Sequence, residues 1–197
     1  MTVNQRTNLA KSQINCRTHV KMDFYNDCST MLIRPETSAD YEAIAYVEEQ
    51  ACGLNEANLV QALRSHQKVI LSLVGVFREQ VVGHILFSPV AIETPKGAID
   101  AVGLGPLGVL PQFQRQGIGS ALVRHGLEAL RKDNYAAVVV LGHPNFYSRF
   151  GFSASVAYGI KSQYNVPDDV FMVTELVLGA LNGKSGTVVY APEFNSV

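Results

Sequence analysis

The chain has 197 residues, with 16 Lys and Arg against 17 Asp and Glu, a formal net charge of −1 and a pI near 6.5. That balance leaves no electrostatic footprint for nucleic acid or an anionic membrane surface, and no apolar run reaches the ~18 residues needed to span a bilayer. Hydrophobic content of 47% with 17% charged residues suits one folded domain with a sizeable core and excludes the disordered regime.

Residues 1–30 are polar, with isolated apolar positions and no sustained period. They are expected to form an N-terminal extension, poorly ordered unless it docks on a neighbour. Met31-Leu-Ile-Arg-Pro reads as the start of the folded domain, 31–197, and as an alternative start of translation. The cysteines Cys16, Cys28 and Cys52 are odd in number and show no C-x-x-C spacing, and no apolar signal segment opens the chain. Free thiols in a cytoplasmic protein are expected, with no disulfide framework and no metal site.

Leu32–Arg34 is a short strand stopped by Pro35. Thr37-x-x-Asp40 opens a helix in the manner of a capping box, burying Tyr41, Ile44, Val47 and Ala51. Gly53 ends that helix, and Asn55 caps a second one carrying Leu59 and Leu63. Val69–Phe77 and Val81–Ile92 read as strands joined by a turn at Arg78-Glu79-Gln80. After a turn at Thr94–Gly97, Ile99–Val109 is the next strand. A helix follows in which Leu122, Val123, Gly126, Leu127 and Leu130 share one face. Ala136–Leu141 is a short buried strand, Pro144–Phe150 a short helix stopped by Gly151, and Phe171–Leu178 and Thr187–Tyr190 are late strands. The strands on either side of the long helix make one β-α-β crossover in an otherwise hairpin-built sheet, so the fold class is mixed α/β.

The segment Gln114-Arg115-Gln116-Gly117-Ile118-Gly119-Ser120 lies where the long helix begins. A first helical turn leaves backbone N–H groups without intrahelical acceptors, and the peptide dipoles add partial positive charge there. Glycines let a ligand approach that backbone closely, so an anion site, for a pyrophosphate, is expected. No Gly-Lys-Ser/Thr follows, which disfavours a nucleoside triphosphatase. Gly103-Leu-Gly105-Pro-Leu-Gly108 formally fits the dinucleotide fingerprint, but it lies inside a strand, holds Pro106 and opens no helix. Its glycines mark a bulge or a close backbone approach instead.

Gln114–Gly119 fits Q/R-x-x-G-x-G/A, and about thirty residues on Tyr147-Ser-Arg-Phe-Gly151-Phe152 fits Tyr-x-x-x-Gly-Phe. With the phrases VVVLGHPNFYSRFGF and ALNGKSGTVVYAPEF, the chain from about Met31 to its end resembles the GCN5-related N-acetyltransferase (GNAT) superfamily, in its YhbS-like bacterial branch. The resemblance implies a twisted mixed sheet splayed open between its fourth and fifth strands and flanked by helices. It implies acetyl-coenzyme A as cosubstrate, its pyrophosphate on Gln114, Arg115, Gln116, Gly117, Ile118, Gly119 and Ser120. Its pantetheine arm and thioester carbonyl would lie along Leu107, Gly108 and Val109. Tyr147 would be the catalytic acid: a phenol can give its proton to a departing thiolate, and such catalysis contributes about 10²–10⁴-fold.

The general base is not legible. The glutamate that histone-type members carry on the fourth strand has no counterpart around Val102–Gly105. His143, Glu49, Glu175, Asp100 and a water chain stay open, and Asn145 stands too near Tyr147 to take over a cofactor-binding role known from the family. The resulting expectation is an acyltransferase moving acetyl to an amine of a small molecule or protein by direct attack in a ternary complex. The alternatives are a non-catalytic acyl-coenzyme A-binding sensor module and a scaffold whose extension engages a partner. Acceptor, acyl-chain length and oligomeric state, monomer or homodimer, are not carried by any motif.

Overall fold

The computed structural model describes residues 18–21 and 30–196. Thr18–Lys21 (β1) pairs antiparallel with Thr30–Pro35 (β2), a strand that the polar extension gave no sign of; the rest of the expected extension lies outside the described residues. Tyr41–Ala51 (α1) and Leu54–Ser65 (α2) follow, then the strands Leu71–Phe77 (β3), Gln80–Thr94 (β4) and Gly97–Val109 (β5). Ile118–Lys132 (α3) crosses over to Ala137–Leu141 (β6), and Pro144–Tyr147 (α4) leads to Ser153–Ala154 (β7), Ile160–Ser162 (β8), Phe171–Glu175 (β9) and Gly186–Val189 (β10). The sheet runs β1-β2-β3-β4-β5-β6-β9-β7, with β10 joining β4 to β8. Among these pairings β5–β6 and β8–β10 are parallel and the others antiparallel. This is the mixed sheet expected.

Local chemistry accounts for most boundaries. Arg78 and Glu79 both take positive φ, 47° and 64°, and Phe77 pairs with Gln80. The hairpin loop is therefore two residues long, of the kind whose twist matches the flanking strands. The capping box forms: Asp40 Oδ2 accepts from Thr37 N–H at 2.7 Å, over a short 3-10 turn that leads into α1. Arg34 also donates both guanidinium arms to Asp40, at 2.7 and 2.8 Å.

Several expectations need correction. Tyr41 does not face the core; it is 39% exposed, with the Arg64 guanidinium 3.8 Å over its ring. The inward place on α1 goes to Glu48, fully buried beside Ile44 and Val47. Gly53 at φ 124°, and not Asn55, stands at the N-cap of α2. β9 ends at Glu175 because the chain turns there: Leu176 N–H bonds the Ala136 carbonyl, and Leu178 is 97% exposed. β7 and β8, two and three residues long, are too short to show a period.

The main core lies between the sheet and α1 to α3, built from Ile44, Leu63, Phe87, Leu122 and Leu130 among others; a second cluster around Ile92, Val139 and Val188 covers the other face. Each such buried side chain contributes about 1.5–3 kcal/mol. Gly126 is required for the approach of α3, because a Cβ there would meet the Phe87 ring. Among the described residues no helix is long and apolar enough to cross a membrane.

Two features of β5 shape the site. It pairs with β6 only from Val102–Val138 to Leu104–Val140. Beyond Leu104 the two strands part, the splay expected between the fourth and fifth strands counted from Thr30. Opposite, Ile85 pairs with Leu107 and Phe87 with Leu104, so Gly105 and Pro106 stand against Leu86 alone. One extra residue on β5 makes a bulge, which bends the strand and frees its edge at Gly105–Val109.

Candidate active site

The loop before α3 is curled by two left-handed residues, Arg115 at φ 60° and Gly117 at φ 86°. Such turns converge successive N–H groups into a concave anion-binding nest. Gly117 is the N-cap of α3, and the first intrahelical bond runs from Ala121 N–H to Gly117 O at 2.9 Å. The N–H groups of Ile118, Gly119 and Ser120 therefore have no intrahelical acceptor. Gln114 Nε2 donates to Val109 O at 3.0 Å and Gln116 Nε2 to Gln112 O at 3.1 Å, so both glutamine side chains brace the loop. A Cβ on Gly119 would meet only Phe146 and Val109, at 3.6 and 3.7 Å, so the approach to its backbone is open.

A cavity of about 880 Å³ lies along this loop. Of the candidates named from sequence it gathers Leu107, Val109, Gln114, Arg115, Gly117, Ile118, Gly119, Ser120 and Tyr147, with His143 also on its wall. Gln116 and Gly108 do not line it. Ile118 turns its side chain into the core, 2% exposed, and has only backbone to offer a ligand. The cavity wall takes in the N–H cluster of α3, Leu107 and Val109 of β5, and Tyr147 and Cys52, with Phe146 between Gly119 and Tyr147.

Tyr147 is held edge-on against Phe146 (ring centroids 4.9 Å apart) and Phe152 (5.6 Å). Gly142 makes room for it, since a Cβ there would stand 2.5 Å from Tyr147 Cε2. Burial first, then the nearby Cys52 and Glu48, hold the phenol above its ordinary pKa, so it keeps its proton at neutral pH. Burial likewise pushes the Cys52 thiol up to about 12, with Glu48 and Glu56 adding to the shift. A thiol that stays protonated is a poor nucleophile.

Behind the bulge lies a network that sequence reasoning missed. Glu48 Oε1 stands 2.6 Å from His84 Nδ1, His84 Nε2 stands 2.9 Å from Ser72 Oγ, and Ser72 Oγ donates to Glu36 Oε2 at 2.6 Å. Glu36 also accepts from Arg64 at 3.0 and 2.8 Å. Burial acts to raise the Glu36 pKa, but its bonds to Arg64 and Ser72 outweigh that and hold it below the ordinary value. The protons can be counted. Ser72 gives its single proton to Glu36, so His84 Nε2 donates to Ser72, and one proton is shared between His84 Nδ1 and Glu48. Glu48 Oε2 is left buried with no hydrogen-bond partner. It faces Gly108, where a Cβ would stand 2.8 Å away. The signal in the sequence was a histidine inside the apolar run Val81–Ile92 and an acid on the apolar stripe of α1; lone charged residues at core positions are rarely buried unless paired.

Of the base candidates named from sequence, His143 lies on the cavity wall and the three carboxylates fall elsewhere. Glu49 is exposed, and Asp100 is exposed at the far end of β5 from Val109. Glu175 caps a turn through Gly179 N–H at 3.2 Å and Leu181 N–H at 2.7 Å.

Residues 33–155 match the family model for the acetyltransferase (GNAT) domain. The chain is 38% identical over 167 residues to the N-acetyltransferase YhbS of Escherichia coli, covering 84% of this chain and 99% of that protein. It is 36% identical over 138 residues to the N-acetyltransferase YjhQ of the same organism, covering 66% and 75%. The crystal structure of E. coli YhbS in complex with coenzyme A superposes with a TM-score of 0.81 at 35% identity, over 88% of this chain and 96% of that one. A GNAT-family acetyltransferase from Brucella melitensis in complex with acetyl-coenzyme A gives 0.69 at 35% identity, over 83% and 97%.

Proposed function

We propose that this chain, which belongs to the GNAT family of N-acetyltransferases, moves an acetyl group from acetyl-coenzyme A to a primary amine by direct attack within a ternary complex. The observation that carries the reading is the single cavity joining the free N–H groups of Ile118–Ser120 to Tyr147 by way of the unpaired edge of β5. Its dimensions and donors fit the cosubstrate. Converging N–H groups suit a pyrophosphate without a metal, and each hydrogen bond to a charged oxygen contributes about 1.5–3 kcal/mol. The apolar walls at Leu107 and Val109 suit a pantetheine arm, and the relatives crystallised with coenzyme A and acetyl-coenzyme A share the fold over most of their length.

Acetyl-coenzyme A supplies an activated acyl group and a leaving thiolate; the chain supplies position and protons. An ammonium must lose a proton before its nitrogen can attack. The Glu48–His84 pair, buried behind Gly108, is the acceptor by way of a water in the cavity, and the shared proton then settles on His84 Nδ1. The free backbone at Leu107–Val109 bonds the carbonyl oxygen as charge builds on it, where one good donor contributes about 10²–10³-fold. Tyr147 donates to the departing sulfur. Its raised pKa favours a hydrogen bond to the developing thiolate, with the proton moving late, and the second proton shed by the nitrogen restores the phenol. No step requires Cys52 as a nucleophile.

Calorimetry with coenzyme A and an assay of thiol release from acetyl-coenzyme A against a panel of amines test this reading. Tight binding with turnover of at least one amine is expected. Tight binding with no turnover across small amines, peptides and aminoglycosides would instead make the chain a sensor of acyl-coenzyme A.

A further inference from the structure

Two cavities adjoin the bulge in β5. The first is the cofactor cavity described above. The second, of about 400 Å³, opens where β5 and β6 part. Leu104, the last β5 residue paired with β6, and Leu141, the end of β6, stand on its walls with Pro106, Tyr190 and Phe194. The two cavities share their borders. Leu107 walls the first and the adjoining Gly105-Pro106 the second; Cys52 walls the first and Glu56, four residues on, the second.

From this geometry we infer that the second cavity is the acceptor pocket and that it takes a small primary monoamine with an apolar, ring-sized body, its ammonium held by Glu56. The inference rests on the acetyl transfer proposed above. The Glu56 carboxylate folds back over Gly53, whose added Cβ would stand 3.3 Å from Oε2, and its charge is felt by the Cys52 thiol. It therefore stands at the border of the two cavities, where an amine facing Leu107 would be. Glu56 is the only charged group on the second cavity's wall among the described residues, and no Lys, Arg or His lies there. A monoamine satisfies that arrangement. A carboxylate-bearing amine finds no cation, and a polyamine must bury further charges against leucine and phenylalanine, which is costly. The volume lies in the lower part of the range for small-molecule pockets. The Tyr164 hydroxyl, buried on the same wall with no hydrogen-bond partner, leaves one polar contact for the body of the ligand.

The test uses the full-length protein and two probes, phenethylamine and spermidine, titrated by calorimetry and amide NMR with and without saturating coenzyme A. Phenethylamine should shift the amides of Gly105, Leu141 and Glu56 and bind at least about tenfold tighter than spermidine. Glu56→Gln should weaken phenethylamine by about tenfold, the size expected for losing a hydrogen bond to a charge, and Leu141→Asn by about fourfold, the worth of one buried methylene, each with coenzyme A affinity unchanged. Leu141→Ala replaces Leu141→Asn if that variant loses coenzyme A binding. Equal or tighter binding of spermidine, shifts confined to other surfaces, or an indifferent Glu56→Gln variant overturns the inference. If phenethylamine seats here while coenzyme A does not bind, the transfer reading falls and the pocket assignment survives. If coenzyme A binds and phenethylamine does not, the pocket assignment falls alone.

Discussion

Gly142→Ala probes the proposed acid without touching its hydroxyl. The new methyl carbon would stand 2.5 Å from Tyr147 Cε2, 3.2 Å from Cδ2 and 3.5 Å from Cζ. Carbon pairs rest at about 3.5–4.0 Å, so the ring must retreat by roughly 1 Å. Phe146 and Phe152 pack edge-on against it, which leaves tilting toward the cavity as the path of least resistance. Overpacking of this kind costs about 1–3 kcal/mol of stability, and a 1 Å misplacement of a catalytic group can cost about 10²-fold in rate. The expected outcome is a Tm lowered by a few degrees, kcat for thiol release from acetyl-coenzyme A down by about 10²-fold, and coenzyme A affinity within about twofold of wild type, since Phe146 stands between Tyr147 and the start of α3. Tyr147→Phe should lower kcat to a similar extent with no loss of stability. A Gly142→Ala enzyme with wild-type kcat, in an assay limited by chemistry, would show that the place of the phenol is immaterial and refute its role as acid.

Gly119→Val should still fold, because a Cβ there makes only ordinary contacts, yet weaken coenzyme A by about 100-fold or more, the worth of two charged hydrogen bonds; retained affinity in the folded variant would remove the α3 N-terminus from the site. Glu48→Gln should slow the acetylation of strongly basic amines more than that of hydrazine, which is less protonated at neutral pH; equal slowing of both acceptors would make Glu48 merely structural. The Arg34 guanidinium, helped by Thr37, holds the Asp40 carboxyl well below the usual carboxylate range. Stability from this depressed pKa is present above the unfolded value near about 4 and lost as pH falls below it. Asp40→Ala should therefore cost about 1–2 kcal/mol at pH 7 in urea unfolding, with the gap to wild type closing below about pH 4; a gap independent of pH would mean that the ion pair contributes nothing.

Short-range rules carry far in this chain. The capping box at Thr37–Asp40, the hairpin at Arg78-Glu79, the apolar stripe of α3 and the glycines opening it are local patterns, and a local pattern is read from neighbours a few residues apart. The loop donors, Tyr147 and the bulge glycines were legible for that reason and through two short signatures. The pairing of Glu48 with His84 joins residues 36 apart in sequence, and nothing local to either announces the other. The pocket beside the splay is assembled from α2, β5, β6, the segment between β8 and β9 and the residues after β10, elements with no common period. Which acid lies buried behind Gly108, and which apolar walls line the second cavity, are set by how helices and sheet pack, because burial and partnership exist only once distant segments share the same volume.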